Sequence, residues 1–288
     1  MASSTEGLYL LPEVLDMVLS FLKSEFQSDL RQHRLPLSRE KFSKYLLVSK
    51  DWLHLGRKHL FKTIAFYISP DSKIIDQFTL FLTESPHLKP YIRSLRLDAK
   101  PDTPLSINTL ATLVHHVPLL DDLTLTSFRI LSDGSTQTRQ ALPSHHLEEL
   151  QLFSVHPHED LSTLSPFHHF FSLFASIKTV TSQYCTFGPL NHHNSGNKLP
   201  ITRLNYCCNP GTVDPYQPLS TLFEDIIDIG SFAVLGVYLF SPSDFRSLSS
   251  FIESTFQSPS QELSVEFSFD NSYYECEHDS DNLSMCSF

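Results

Sequence analysis

The sequence predicts an α/β protein in which parallel strands alternate with helices, preceded by a small all-helical module. Three observations carry that prediction. Between about residues 71 and 270, short alternating apolar stretches return at steps of 28, 27, 30, 24, 31 and 30 residues. Amphipathic helical segments fill most of the gaps between them. Ahead of this array, Leu10 to Ile64 carries two apolar-faced helical stretches and the only tryptophan.

The helical module comes first in the chain. In Leu10–Leu22 the apolar residues Val14, Leu15, Val18, Leu19 and Leu22 recur at three- and four-residue steps, which makes one dry helical face. Pro12 stands in the first turn, where a helix tolerates proline. In Tyr45–Ile64 the residues Leu47, Val48, Trp52, Leu55, Leu60, Phe61 and Ile64 follow similar steps. Two such helices are too small to bury a core alone. Between them, about residues 23–39 are polar and basic with Pro36, and read as an inserted loop.

The strand-like stretches are Tyr91–Ala99, Leu119–Phe128, His146–Val155, Ser176–Cys185, Pro200–Asn209, Phe232–Ser241 and Gln261–Asp270, centred on Leu95, Leu123, Leu150, Val180, Leu204, Leu235 and Val265. Helical segments are read at Lys73–Glu84, Ile107–Val117, Leu164–Ala175, Leu219–Ile229 and Asp244–Phe256. Ser106 and Ser243 stand where N-caps stand, and Pro86 and Pro118 lie just past helix ends. Strands spaced regularly by helices imply right-handed crossovers and a parallel sheet. Leu131–Pro143 and Gly188–Leu199 read as loops, and 271–288 as an acidic, disordered tail.

Two family resemblances follow. Leu10, Glu13, Val14, Val18, Leu19 and Leu22, then Val48, Ser49, Lys50 and Trp52, resemble the opening and closing motifs of the F-box. Gly56 to Ile64 is similar to the Arg-x-His-Leu-Phe-x-x-Ile tail of fungal F-box proteins. The chain departs from the pattern in two places: Leu11 takes the family proline's place, and the gap from Leu22 to Val48 is about twice the usual length. A longer surface turn costs little thermodynamically. The resemblance implies docking on a Skp-type adaptor, and through it a cullin, by Leu10, Pro12, Val14, Leu15, Val18, Leu19, Leu22, Val48 and Trp52.

The Leu-x-x-Leu-x-Leu spacing in Ile92/Leu95/Leu97, Leu120/Leu123/Leu125 and Leu147/Leu150/Leu152 decays through Ile177/Val180 and Ile201/Leu204/Tyr206. It resembles a degenerate leucine-rich-repeat solenoid, without the repeat's usual asparagine. In such a solenoid the residues between the leucines reach the concave face. The candidate protein-binding positions there are Arg96, Thr124, Gln151 and Phe153 in the first half, then Thr181, Asn205, Tyr238 and Glu266. Together the two resemblances imply the substrate-recognition subunit of an SCF-type ubiquitin ligase, a monomer within a hetero-complex. The rival expectation is a repeat scaffold whose F-box-like helices only cap the array.

Bulk composition narrows the partners. Net charge is −11, yet residues 1–62 hold 10 Lys/Arg against 7 Asp/Glu. The rest is therefore strongly acidic, which argues against nucleic acid. The N-terminus shows no secretory pattern, and the chain has no apolar run long enough for a membrane span. The expected location is cytoplasmic or nuclear, with the five cysteines as free thiols. Adjacent pairs such as His115-His116 and His145-His146 have the wrong spacing for chelation. Nucleophile-elbow, phosphate-loop and dinucleotide-binding motifs are missing from the sequence. His158 with Asp160, and Cys185, are the nearest approach to catalytic groups. No enzyme activity and no cofactor are expected.

Overall fold

A computed structural model describes residue 17 and residues 50–70, 72–131, 145–157, 166–187, 198–208, 216–239, 242–256 and 263–269, without the side chains of 50–55, 221, 242, 243 and 269. The elements in order are α1 (Lys50–Phe61), β1 (Thr63–Ile68), α2 (Ile74–Glu84), β2 (Ser94–Ser106), α3 (Ile107–His116), β3 (Asp122–Leu131), β4 (His145–Phe153) and β5 (His156–Pro157). They continue as α4 (Pro166–Phe171), β6 (Phe174–Gln183), β7 (Ile201–Cys207), α5 (Gln217–Asp225), β8 (Val234–Leu239), α6 (Pro242–Thr255) and β9 (Ser264–Phe269). Short 3-10 turns span Pro86–Tyr91 and Ile229–Ser231.

Among the described residues every strand pairing is parallel, and the order along the sheet is the order along the chain. Only the two-residue β5 lies off the path, beside the far end of β3. Crossovers of one hand, as parallel connections usually have, that always step the same way stack their connecting segments on one face. Accordingly α2 packs beside α3 and α5 beside α6, and a single hydrophobic core joins helices and strands.

The register matches the repeat spacing. Leu95, Leu123, Leu150, Val180, Leu204, Leu235 and Val265 are each opposite the next across the sheet. The first six are fully buried. A shared carbonyl recurs on the same rung of the first four strands. The carbonyl of Lys62 accepts from the amides of Arg93 and Ser94, that of Arg93 from Asp121 and Asp122, and that of Asp121 from Glu148 and Glu149.

Five boundaries correct the sequence reading. The sheet begins at Thr63, inside the stretch assigned to the helical module, because TIAFYI is a β-branched and aromatic run. Ile64 is therefore a buried strand residue and not part of a helical seam. β2 runs beyond Ala99 to Ser106 through an irregularity between Asp98 and Thr103, with Asp102 in the left-handed region at φ 65°. α4 is shorter than Leu164–Ala175, since Phe174 opens β6. The phenylalanines 167, 170, 171 and 174 follow a helical period that runs on into the strand. Ser243 lies inside the first turn of α6, which starts at Pro242, so it is not the cap. Leu199, read as loop, is buried and bridged to Ile227.

Ser106 does cap α3, its hydroxyl accepting from the amides of Asn108 and Thr109 at 3.2 and 3.5 Å. The inserted loop near 23–39, the loop after Leu131 and the tail 271–288 lie outside the described residues. No described helix is long and apolar enough to cross a membrane.

Candidate interaction face

Alternation along the strands sends the leucine positions into the core and the residues between them to the opposite face. Three rows cross that open face. The first runs Thr63, Ser94, Asp122, Glu149, Thr179, Arg203, Val234 and Ser264. The second holds Ala65, Arg96, Thr124, Gln151, Thr181, Asn205, Gly236 and Glu266, so six of the sequence-predicted positions share one row. The third holds Tyr67, Asp98, Thr126, Phe153, Gln183, Cys207, Tyr238 and Ser268, which places Phe153 and Tyr238 in one row, with β6 and β7 between their strands.

A side-chain network knits the middle of the face. The Thr124 hydroxyl donates to Gln151 Oε1 at 3.5 Å, and Gln151 Nε2 donates to Glu149 Oε1 at 2.7 Å. Arg96 is held by Asp98 at 2.7 Å. Further along, Asn205 Nδ2 donates to the Thr181 hydroxyl at 3.3 Å and accepts at Oδ1 from Arg203 Nε at 3.0 Å. Arg203 also reaches from β7 across β8 to form an ion pair with Glu266 on β9.

That crossing depends on Gly236. A Cβ there would stand 2.5 Å from Asn205 Oδ1, so the bare backbone of β8 makes room for the carboxamide beneath the guanidinium. An isolated glycine inside a strand pattern marks such close approach. Tyr67 is a further face residue, 58% exposed, hidden from sequence reading because β1 was assigned to the helical module. Cys207 stands in the third row but is buried, so it offers no surface.

No protein-family model and no curated protein matches this chain.

The adaptor-docking positions Leu10, Pro12, Val14, Leu15, Val18, Leu19, Leu22 and Val48 lie outside the described residues. Trp52 lies on α1, whose side chains are described only from Gly56 on. There, Gly56 is buried, and the half-buried Phe61 packs against the core.

Among the described residues the cysteines and the histidines with shifted pKa are held by burial. Burial pushes the Cys185 thiol up, away from the thiolate a nucleophile needs. Its sulfur lies 3.5 Å from the amide of Val155 and 3.4 Å from the carbonyls of Leu152 and Gln183, a structural post between turns. Burial, then Asp244 and Cys207, push Cys208 up to about 12. His116, His145, His156 and His169 are all held below the ordinary imidazole range, chiefly by burial. Among the described residues no three His, Cys, Asp or Glu side chains are grouped to hold a metal. His158 and Asp160 lie outside the described residues.

Proposed function

We propose that this chain is the substrate-recognition subunit of an SCF-type ubiquitin ligase, a leucine-rich-repeat-like receptor that holds a protein partner on its open sheet face. One observation carries the reading: eight parallel strands, in register through their central rungs, present a largely polar face studded with half-buried Phe153 and Tyr238. A mixed polar and aromatic surface of that kind suits a protein ligand. Cys185 adds support, because it stands where the repeat pattern Leu-x-x-Leu-x-Leu-x-x-Asn/Cys expects asparagine or cysteine, and its sulfur faces backbone groups of neighbouring turns. The F-box-like residues lead through α1 straight into β1, so receptor and docking module would be contiguous. Function would then be proximity: the partner is held near a charged enzyme while bond chemistry occurs on other subunits.

The alternative, helices that only cap the array, is favoured by the packing of α1 against β1 and the 3-10 turn at Pro86–Tyr91. The test is co-purification of the full chain with a Skp-type adaptor, beside a V18D/L19D variant. Stoichiometric binding lost by the variant, with the sheet still folded, supports the receptor. Absence of wild-type binding supports the cap.

A further inference from the structure

The open face is electrically uneven, and the unevenness comes from a doubled acidic pair that occurs twice. Asp121-Asp122 leads into β3, and Glu148-Glu149 takes the same rungs on β4. The first member of each pair has its own cation: Arg93 lies 3.6 Å from Asp121, and Lys178 lies 2.9 Å from Glu148. The second members, Asp122 and Glu149, lie on the face directly opposite each other in the ladder. Among the described residues no cationic group comes within 4 Å of either. The face's two arginines are engaged elsewhere, Arg96 with Asp98 and Arg203 with Glu266.

Like charges directly opposite in a sheet are destabilising. The repulsion is felt: burial first, then Glu149, raises the Asp122 carboxyl above its ordinary range. Lys62 opposes the rise at Asp122 and Gln151 donates to Glu149, yet the carboxyl stays raised. The pair is thus only partly compensated inside the chain, and a local rule left broken in this way marks a candidate functional contact.

We propose that this half of the face binds an extended segment of a partner protein through an arginine or lysine side chain seated on Asp122 and Glu149. The proposal rests on the reading of the face as a protein-binding surface and narrows the partner to a basic one. Adjacent strands are about 4.8 Å apart, so a guanidinium fork spans the two carboxylates. Phe153 is four residues along β4 from Glu149, about 13 Å at 3.3 Å per residue. An extended segment running along the strand therefore places an apolar side chain four residues from its basic one.

The test is an array of immobilised twelve-residue peptides with Arg, Lys, Ala or Glu four positions from a Leu or Phe. It is probed with the full chain, wild type and D122N/E149Q, at low and physiological ionic strength. Wild type should favour the Arg and Lys peptides over the Glu peptides by about ten-fold or more, as charged hydrogen bonds require, and less so as salt rises. D122N/E149Q should lose the preference while melting at the same or a higher temperature, which separates lost binding from lost fold. No binding, binding without a basic preference, or a preference kept by the variant overturns the proposal. So does a calcium-induced rise in melting temperature confined to wild type, which would make the carboxylates a metal site. Adaptor co-purification is scored separately on the same protein. A basic preference without adaptor binding keeps this proposal and removes the ligase role; adaptor binding without the preference does the reverse.

Discussion

The two halves of the sheet share one ladder but fill it differently. In β2 to β4 the inward rungs are leucine pairs, Leu95 with Leu97, Leu123 with Leu125 and Leu150 with Leu152, all fully buried. In β6 to β8 the same rungs hold Val180 with Ser182, Leu204 with Tyr206 and Leu235 with Val237, and rings from the crossovers supply the bulk. Phe223 lies 4.8 Å from Phe232, 5.2 Å from Phe256 and 5.8 Å from Phe251, centroid to centroid. The strands stay in register through the change. What repeats is therefore the backbone rung and the buried volume, and leucine is only one way of providing it.

The largest expected effect breaks the aromatic half. Phe223→Ala removes a fully buried ring that touches three others and should cost about 3–5 kcal/mol. Leu150→Ala, on the leucine side, should cost about 2–5 kcal/mol and fall below it. Urea denaturation compares them. Because one core cluster spans both halves, each variant should unfold in a single transition with an unchanged slope. Two separated transitions would show that the halves are independent units.

The next two substitutions are smaller and sit one in each half. Gly236→Ala forces Asn205 aside and should cost about 1–3 kcal/mol. Asn205→Ala in the same chain should restore most of that loss, because the clash is with the carboxamide. If the double variant is no better than the single one, the room beneath Arg203 is not what the glycine provides. Ser106→Ala, which removes the α3 cap in the leucine half, should cost about 1 kcal/mol by thermal melting.

Histidines set a shared pH limit. His116, His145, His156 and His169 have folded values below the ordinary one of 6.5. The unfolded chain therefore takes up protons first as the pH falls through about 6.5, and stability is lost from there downward. The melting temperature should drop between pH 7.5 and 5.5. His145 is buried with its Nε2 unpaired, so His145→Gln should flatten part of that drop. A drop identical to wild type would remove His145 from the cause.

The seven strands and their register were legible in the sequence because alternation of period two is set by local chemistry and the repeat aligned the central residues. β1 was not, because a six-residue strand abutting a helix shares its apolar residues with the helical period. α4 was overextended for the same reason, Phe174 satisfying both periods. On the face, the row shared by Arg96, Thr124, Gln151, Thr181, Asn205 and Glu266 followed from alternation alone. The pairing of Arg203 with Glu266 across a third strand, and the isolation of Asp122 beside Glu149, depend on three-dimensional neighbours that sequence order does not carry.

The smallest predicted change sharpens that last point. The Asp122 carboxyl is raised when folded, above the ordinary aspartate value of 3.8. A raised acid contributes fully only below its unfolded value and loses that contribution as the pH rises through the folded one. At pH 7 Asp122 is thus a net cost to wild type. Asp122→Asn keeps the shape and removes the charge, so it should stabilise the fold, by less than about 1 kcal/mol because the site is half open to water. The gain should be clear at pH 7, shrink as the pH falls toward 4, and diminish with added salt. Chemical denaturation of the two proteins at pH 7 and pH 4.5 measures it. A gain that is independent of pH would trace to altered packing or hydrogen bonding and not to the carboxylate's charge, and neither burial nor Glu149 would then count as what makes this rung unfavourable.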